Sequence, residues 1–397
     1  MSFEHERIDD DPPCGRLSSC QVTDLTGNGL SDLIVVGMGG NPSVSVAGTT
    51  VTLRALPGVD SIINALETNV FWYENPGWER HTLAPESGLH LGVGSALHDV
   101  DGDGRVDLIV GQGYSHSDLY WYRQPANSRD PWTQQFISDR FQKYHDLTVG
   151  DVDDDGDREL VGLSQEAEAV FYYDIPADPT VEPWPDENCT VVAAGVSAEG
   201  VHVGDIDGDG RTELVAGTSV YRRDGDEWTR TQFADGWDDV RIDVADIDGD
   251  GEPDIILSEG DSPTYGTHPG RVAWFDPENW EPHVIARDLF GPHSLQVGDF
   301  TGDGRPDVFV GEMGLEENTE PVHRVYRNAG DGTFEEHVVD RDIPTHEAKA
   351  VDLTGDGRLD IIGKSYAPDH HVDAWFNTGT LGGSLDGTPR ERAGKIA

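Results

Sequence analysis

"HDVDGDGRVDLIVG", residues 98–111, sets four aspartates (Asp99, Asp101, Asp103 and Asp107) around Gly102 and Gly104 and runs straight into Leu, Ile and Val. Glycine lets a chain curl through conformations that other residues avoid, and the apolar run that follows favours a strand. The same unit returns as "DLTGNGLSD" (24–32), "DVDDDGDRE" (151–159), "DIDGDGRTE" (205–213), "DIDGDGEPD" (246–254), "DFTGDGRPD" (299–307) and "DLTGDGRLD" (352–360). Seven copies at intervals of 41 to 75 residues are a repeat architecture.

The surroundings of each copy follow one grammar. An alternating stretch such as "HSLQVGD" precedes the loop and a β-rich run such as "VFVGE" follows it. An aromatic strand comes next ("VFWYE", "LYWYR", "VFYYD", "VAWFD", "DAWFN"), then a short fourth strand ("WERHTL", "WTQQFI", "WTRTQF", "WEPHVI", "FEEHVV"). Alternation punctuated by Gly, Asp and Asn reads as four antiparallel strands per unit. The expected fold is therefore all-β, a seven-bladed β-propeller spanning residues 1–378. The seventh unit lacks its fourth strand after "DAWFN" (373–377), whereas the chain begins with "FEHERI" (3–8), which matches "FEEHVV" (334–339). Residues 3–8 should pair into the last blade and close the ring, removing the free edge that an open array would leave. Residues 379–397 lie past the ring and read as a flexible tail.

Composition bounds the partners. The 397 residues carry 76 Asp and Glu against 27 Lys and Arg, a net charge of −49 that disfavours nucleic acid and anionic membrane. Only Lys143, Lys349, Lys364 and Lys395 are lysines, and acid excess with so little lysine resembles proteins of salt-loving organisms, where screening tolerates the charge. Three cysteines give no disulfide framework. The start has neither a basic nor an apolar leader segment, so a cytoplasmic protein is the expectation, with a mature secreted form as the alternative; a monomer is expected. No G-x-S-x-G elbow, P-loop or dinucleotide fingerprint occurs.

In D-x-D-x-D-x-x-x-D the first, third, fifth and ninth side chains converge, and an oxygen-only set on a flexible loop suits calcium. These residues resemble the FG-GAP/VCBS repeat family over residues 15–377, which implies calcium-binding turns on one propeller face, with a structural role. Position by position, the ligands are Asp99, Asp101, Asp103 and Asp107 in loop 2 and Asp246, Asp248, Asp250 and Asp254 in loop 5. Loop 3 offers Asp151, Asp153, Asp155 and Glu159, and loop 4 Asp205, Asp207, Asp209 and Glu213. Loops 6 and 7 have Thr301 and Thr354 at the third position, leaving Asp299, Asp303 and Asp307 and Asp352, Asp356 and Asp360. Loop 1 keeps only Asp24 and Asp32 and is expected to bind most weakly.

The opposite face, at the central funnel, is where propellers usually hold ligands. His145, His293 and His346 each stand six residues before their loop's first Asp, hence at equivalent points on the innermost strands. His293 and His346, with Glu312, form a candidate chelating set for an additional divalent metal, with His145 facing them across the substrate as a base. "VGEMG", "THEAKAVDLTGDGRLDIIGKSY" and "HDLTVGDVDDDG" resemble the propeller of aldos-2-ulose dehydratases, and some polysaccharide lyases are propellers of this kind. The resemblance implies β-elimination on a keto-sugar or uronic-acid-containing saccharide, a small sugar or polysaccharide being the expected ligand. On that reading His145, His293 or His346 is the base, Lys364, Arg271 or a metal holds the developing anion, and Tyr366 protonates the leaving oxygen. The competing expectation is a non-catalytic propeller that binds a glycan or a protein.

Overall fold

The computed structural model describes residues 1–39, 43–46, 49–53, 59, 67–84, 89–114, 116–225, 227–315, 318–330, 332–366 and 370–379. The expected tail lies outside the described residues from 380 onward. Seven four-stranded antiparallel sheets stand around an axis. The innermost strands are Leu17–Thr23, Leu91–His98, Tyr144–Gly150, Val201–Gly204, Val240–Ala245, Ser294–Gly298 and Glu347–Val351, which define blades 1 to 7. Each inner strand neighbours the next in sequence order, and the seventh neighbours the first. A hairpin, Ser43–Val46 with Thr49–Thr52, falls within blade 1 and accounts for its longer repeat.

The N-terminal strand closes the ring. Phe3–Asp9 pairs antiparallel with Val372–Asn377, His5 opposite Trp375. Its closure is fastened by buried Asp373, which accepts from His5 Nε2 at 2.7 Å and Arg7 Nε at 2.6 Å. Second strands such as Asp32–Gly37, Asp107–Gln112 and Asp254–Glu259 are buried throughout, because neighbouring blades cover both faces. Blades approach closely enough that a Cβ on Gly111 would meet the Tyr144 ring at 2.4 Å.

There is no single core but a wedge of apolar side chains in each of the seven gaps between blades. Each wedge is plugged by the residue after the first Asp of a loop: Leu25, Val100, Val152, Ile206, Ile247, Phe300 or Leu353. The plug's backbone is fixed from two sides. Its N–H donates to the ninth-position carboxylate of its own loop, at 2.8 to 3.1 Å in all seven blades. In four gaps its carbonyl accepts from an amide side chain of the next blade: Gln124 to Leu25, Asn328 to Ile247, Asn377 to Phe300 and Asn75 to Leu353. The backbone N–H of each of these amide residues returns to the ninth-position Asp of its own blade.

Asn328→Ala would strand the buried Ile247 carbonyl. Equilibrium denaturation should register a loss of about 1–3 kcal/mol; an unchanged midpoint and slope would show that the amide contributes nothing to the ring.

Candidate functional site

The axial channel, of about 370 Å³, is lined by Gln21, Asp146, Arg241, Gln296, Glu347 and Lys349 among others. An innermost strand is an edge with unpaired backbone groups, and these side chains satisfy its neighbours. Asp146 accepts from Val201 N–H, Gln296 Oε1 from Ala350 N–H, and Glu347 from Cys20 N–H, while Gln21 donates to the Ser95 carbonyl. Asp243 likewise accepts from Val297 N–H. The polar lining thus stitches one blade to the next.

The three histidines stand at the funnel end, buried, where their repeat position predicts. His145 Nδ1 lies 3.2 Å from the Glu199 carbonyl and His293 Nδ1 lies 2.6 Å from that of His346. A carbonyl only accepts, so both imidazoles carry their proton on Nδ1 and, when neutral, present an Nε2 lone pair. His145 Nε2 faces Glu199 Oε1 at 3.3 Å and His293 Nε2 faces Asp261 Oδ1 at 3.9 Å. Burial, then the charges of Arg241 and Lys143, hold His145 down to about 3; burial, then Arg241 and His145, keep His293 well below its ordinary range. Burial raises the carboxyl groups of Glu199 and Asp261, and Glu199 adds to the rise at Asp261.

One atom each from Glu199, Asp261 and His293 lies within 4.8 Å of the others. Glu199 is 3% exposed, and its buried Oε2 has no hydrogen-bond partner. One imidazole, two carboxylates and an outer carbonyl that fixes the ring fit a divalent transition ion. This set replaces the expected His293–His346–Glu312 grouping. His346 turns Nδ1 to the Lys364 ammonium at 2.7 Å and stacks between His293 and Tyr366, with ring centroids 4.0 and 4.7 Å away. Glu312 instead accepts from Arg324 and from Val322 and Phe290 N–H. The sequence reading also set His145 far from the other histidines, yet the carboxyls of Glu199 and Asp261 bring it beside His293.

Two proposed anion holders are committed elsewhere. Lys364 is fully enclosed and donates to the carbonyls of Leu17 and Ser18 as well as to His346, and burial lowers it to about 8. Arg271 forms a two-pronged pair with buried Glu259 at 2.6 and 2.8 Å and lies over the Trp237 ring. Tyr366 remains half-buried at the mouth, its hydroxyl 3.6 Å from Met38 Sδ.

On the other face the loops divide. Loops 2 to 5 draw acidic groups together: Asp99, Asp101 and Asp107; Asp151, Asp153 and Glu159; Asp205, Asp207 and Glu213; Asp246, Asp248 and Asp250. Burial pushes Asp107 and Glu159 up to about 7, so ionising them calls for a nearby positive charge. Among the described residues no such cluster forms in loops 1, 6 and 7, which carry Thr26, Thr301 and Thr354 at the third position. There the first aspartate takes three or four of its own loop's N–H groups, against one or two in loops 2 to 5: Asp24 accepts from Thr26, Gly27, Asn28 and Gly29 N–H, and Asp352 from the same four positions. Asp299 does likewise with Gly302, Asp303 and Gly304. The fifth-position Asp103, Asp303 and Asp356 pair with Arg105, Arg305 and Arg358.

The chain carries FG-GAP-like repeats, matched at residues 99–162 and 151–216. No curated protein matches the sequence. Among solved structures it is similar to the V. cholerae biofilm matrix protein Bap1, at 12% identity and TM-score 0.51, over 95% of this chain and 92% of that one. An ancestral GH74 enzyme matches at 10% and 0.54, over 92% of this chain and 57% of that one. A fungal alcohol oxidase of the AA5 family, in complex with copper, matches at 13% and 0.51, over 94% and 76%. At such identities the likeness is one of fold.

Removing divalent cations should therefore raise amide hydrogen exchange in residues 99–107, 151–159, 205–213 and 246–254 and leave 24–32, 299–307 and 352–360 unchanged. A uniform response of all seven loops would contradict the division.

Proposed function

We propose that the funnel is the active site of a carbon–oxygen lyase that performs β-elimination on a keto-sugar or a uronic-acid-containing saccharide, in a propeller whose loops 2 to 5 hold structural calcium. The observation that carries this reading is the pair of neutral imidazoles, each fixed as the Nδ1–H tautomer, presenting Nε2 toward buried Glu199 and half-buried Asp261. A divalent ion held by Glu199, Asp261 and His293 would supply Lewis-acid polarisation of the substrate's carbonyl or carboxylate oxygen. His145 Nε2 takes the proton from the carbon next to that group. The electron pair forms the new carbon–carbon double bond as the β carbon–oxygen bond breaks, and the Tyr366 hydroxyl gives its proton to the leaving oxygen. Solvent then carries the proton from the imidazolium back to the phenolate. Arg241, beside Glu199 and His293, favours negative charge developing in the funnel.

Exposed Tyr265 and Tyr114, at 70% and 48%, favour a second reading, a glycan-binding propeller without turnover. Ultraviolet absorbance of conjugated enones and unsaturated uronates separates the two when the calcium-loaded protein meets a panel of keto-sugars and uronic polysaccharides in molar salt. Turnover should appear and fall by about 10²–10⁴-fold in His145→Ala, and Glu199→Gln should lose both turnover and one bound metal ion. Binding without any absorbance change across the panel would overturn the lyase reading and favour the second.

A further inference from the structure

The described residues include three lysines, Lys143, Lys349 and Lys364, of which Lys349 lines the axial channel and Lys364 lies beside His346 at its funnel end. Two have partners. Lys349 pairs with Glu347 at 2.8 Å, and Lys364 is enclosed by two carbonyls and an imidazole. Lys143 differs. In a chain with 76 acidic residues, no carboxylate of the described residues lies within ion-pairing distance of it.

Its backbone is held in a costly conformation. Lys143 has φ of 56°, in the left-handed region that a long side chain seldom occupies. Two backbone bonds fix it: Lys143 N–H donates to the His116 carbonyl of blade 2, and its carbonyl accepts from Gln165 N–H of its own blade. Asp239, just before the inner strand of blade 5, shares this turn with φ of 48° and accepts from Gly260 N–H, so the backbone belongs to the repeat and what is particular to Lys143 is where its side chain goes. The conformation carries the ammonium to 4.6 Å over the ring of Tyr114, two residues before His145 and the inner strand begin in earnest.

Around it stand tyrosines from three blades. Tyr114, Tyr265 and Tyr366 all follow the second strand of their blades, and the hydroxyls of Tyr366 and Tyr265 add to the burial that keeps Tyr114 protonated. Tyr114 and Tyr265 remain open to solvent. An ammonium is a compact point charge suited to an oxyanion, while half-exposed aromatic faces suit the apolar face of a sugar ring.

We infer that the funnel mouth is a recognition site for a sugar bearing an oxyanion, with Lys143 binding the charged group and Tyr114 and Tyr265 flanking the ring. This rests on the reading of the funnel as a saccharide site and makes the ligand an acidic sugar in place of a neutral keto-sugar. The chain's charge of −49 opposes an anion at long range, so the attraction must come locally from Lys143 and is strengthened by salt that screens the field.

Calorimetric titration of the full chain, with calcium and in molar salt, tests this with galactose, galacturonate and galactose 6-phosphate. Galacturonate should bind ~10-fold or more tightly than galactose, a difference of about 1.4 kcal/mol. Lys143→Gln should erase the preference and Lys143→Arg keep most of it, with melting temperature and bound-metal count unchanged in both. A stronger preference for galactose 6-phosphate, equally lost in Lys143→Gln, supports the oxyanion site and assigns it to phosphate. Equal binding of galactose and galacturonate, or a preference that survives Lys143→Gln, overturns the inference. Elimination of a neutral keto-sugar by such a protein would leave the lyase reading standing alone, whereas a lack of binding to all three sugars together with no turnover would sink both.

Discussion

In each blade the carboxylate that begins the second strand is buried and accepts the N–H of the apolar residue that opens the Asp loop. That bond fixes where the apolar plug enters the gap between blades, and the gaps are the only cores this fold possesses. A propeller built of seven narrow wedges depends on holding each plug in register, because a blade alone has little apolar surface to bury. The carboxylate is thus more than a metal ligand. It converts a polar, acid-rich turn into the anchor of a hydrophobic contact.

How the plug's other side is held explains why the loops divide. Four gaps carry an amide bridge to the plug carbonyl, from Asn75, Gln124, Asn328 and Asn377. The gaps opened by loops 2, 3 and 4 have no such amide among the described residues, and those loops gather their acids into cation-sized clusters. Loops 1, 6 and 7 pair an amide bridge with a first aspartate turned onto its own loop. Loop 5 has both the cluster and the bridge, as expected where one arrangement gives way to the other. A cation at loops 2 to 4 would do electrostatically what the amides do by hydrogen bonding, tying down a turn whose carboxylates otherwise repel one another.

The blades, their four strands and the closing N-terminal segment were legible because the repeat puts the same residues at the same offsets seven times. The repeat also held a signal that a search for histidines passes over. Glu199 stands six residues before the first aspartate of loop 4, the offset shared by His145, His293 and His346. The one histidine of that stretch, His202, lies further down, within the inner strand. Asp261 carries no such signal: it shares its loop with Glu259, a carboxylate of the same kind, and only the fold shows that Glu259 is spent on Arg271. Partner choice is what a sequence hides. Lys364 and Arg271 look like free cations on paper, and only the fold shows carbonyls around one and a carboxylate against the other.

The two faces of the ring handle charge in opposite ways, and this bears on the chemistry at the axis. On the loop face, acids cluster in water and call for small cations. At the funnel, dehydration keeps His145 and His293 neutral and makes Glu199 and Asp261 reluctant to ionise, while Arg241 and Lys143 supply the positive field. Each charge state there is conditional on the others. A divalent cation taken up by Glu199 and Asp261 would ionise both and leave that group of charges neutral overall, so the positive field of Arg241 and Lys143 would persist beside it. Burial is the largest part of what holds His145 down to about 3, and filling the funnel would exclude more water, so the imidazole stays neutral there with its Nε2 lone pair free to accept a proton.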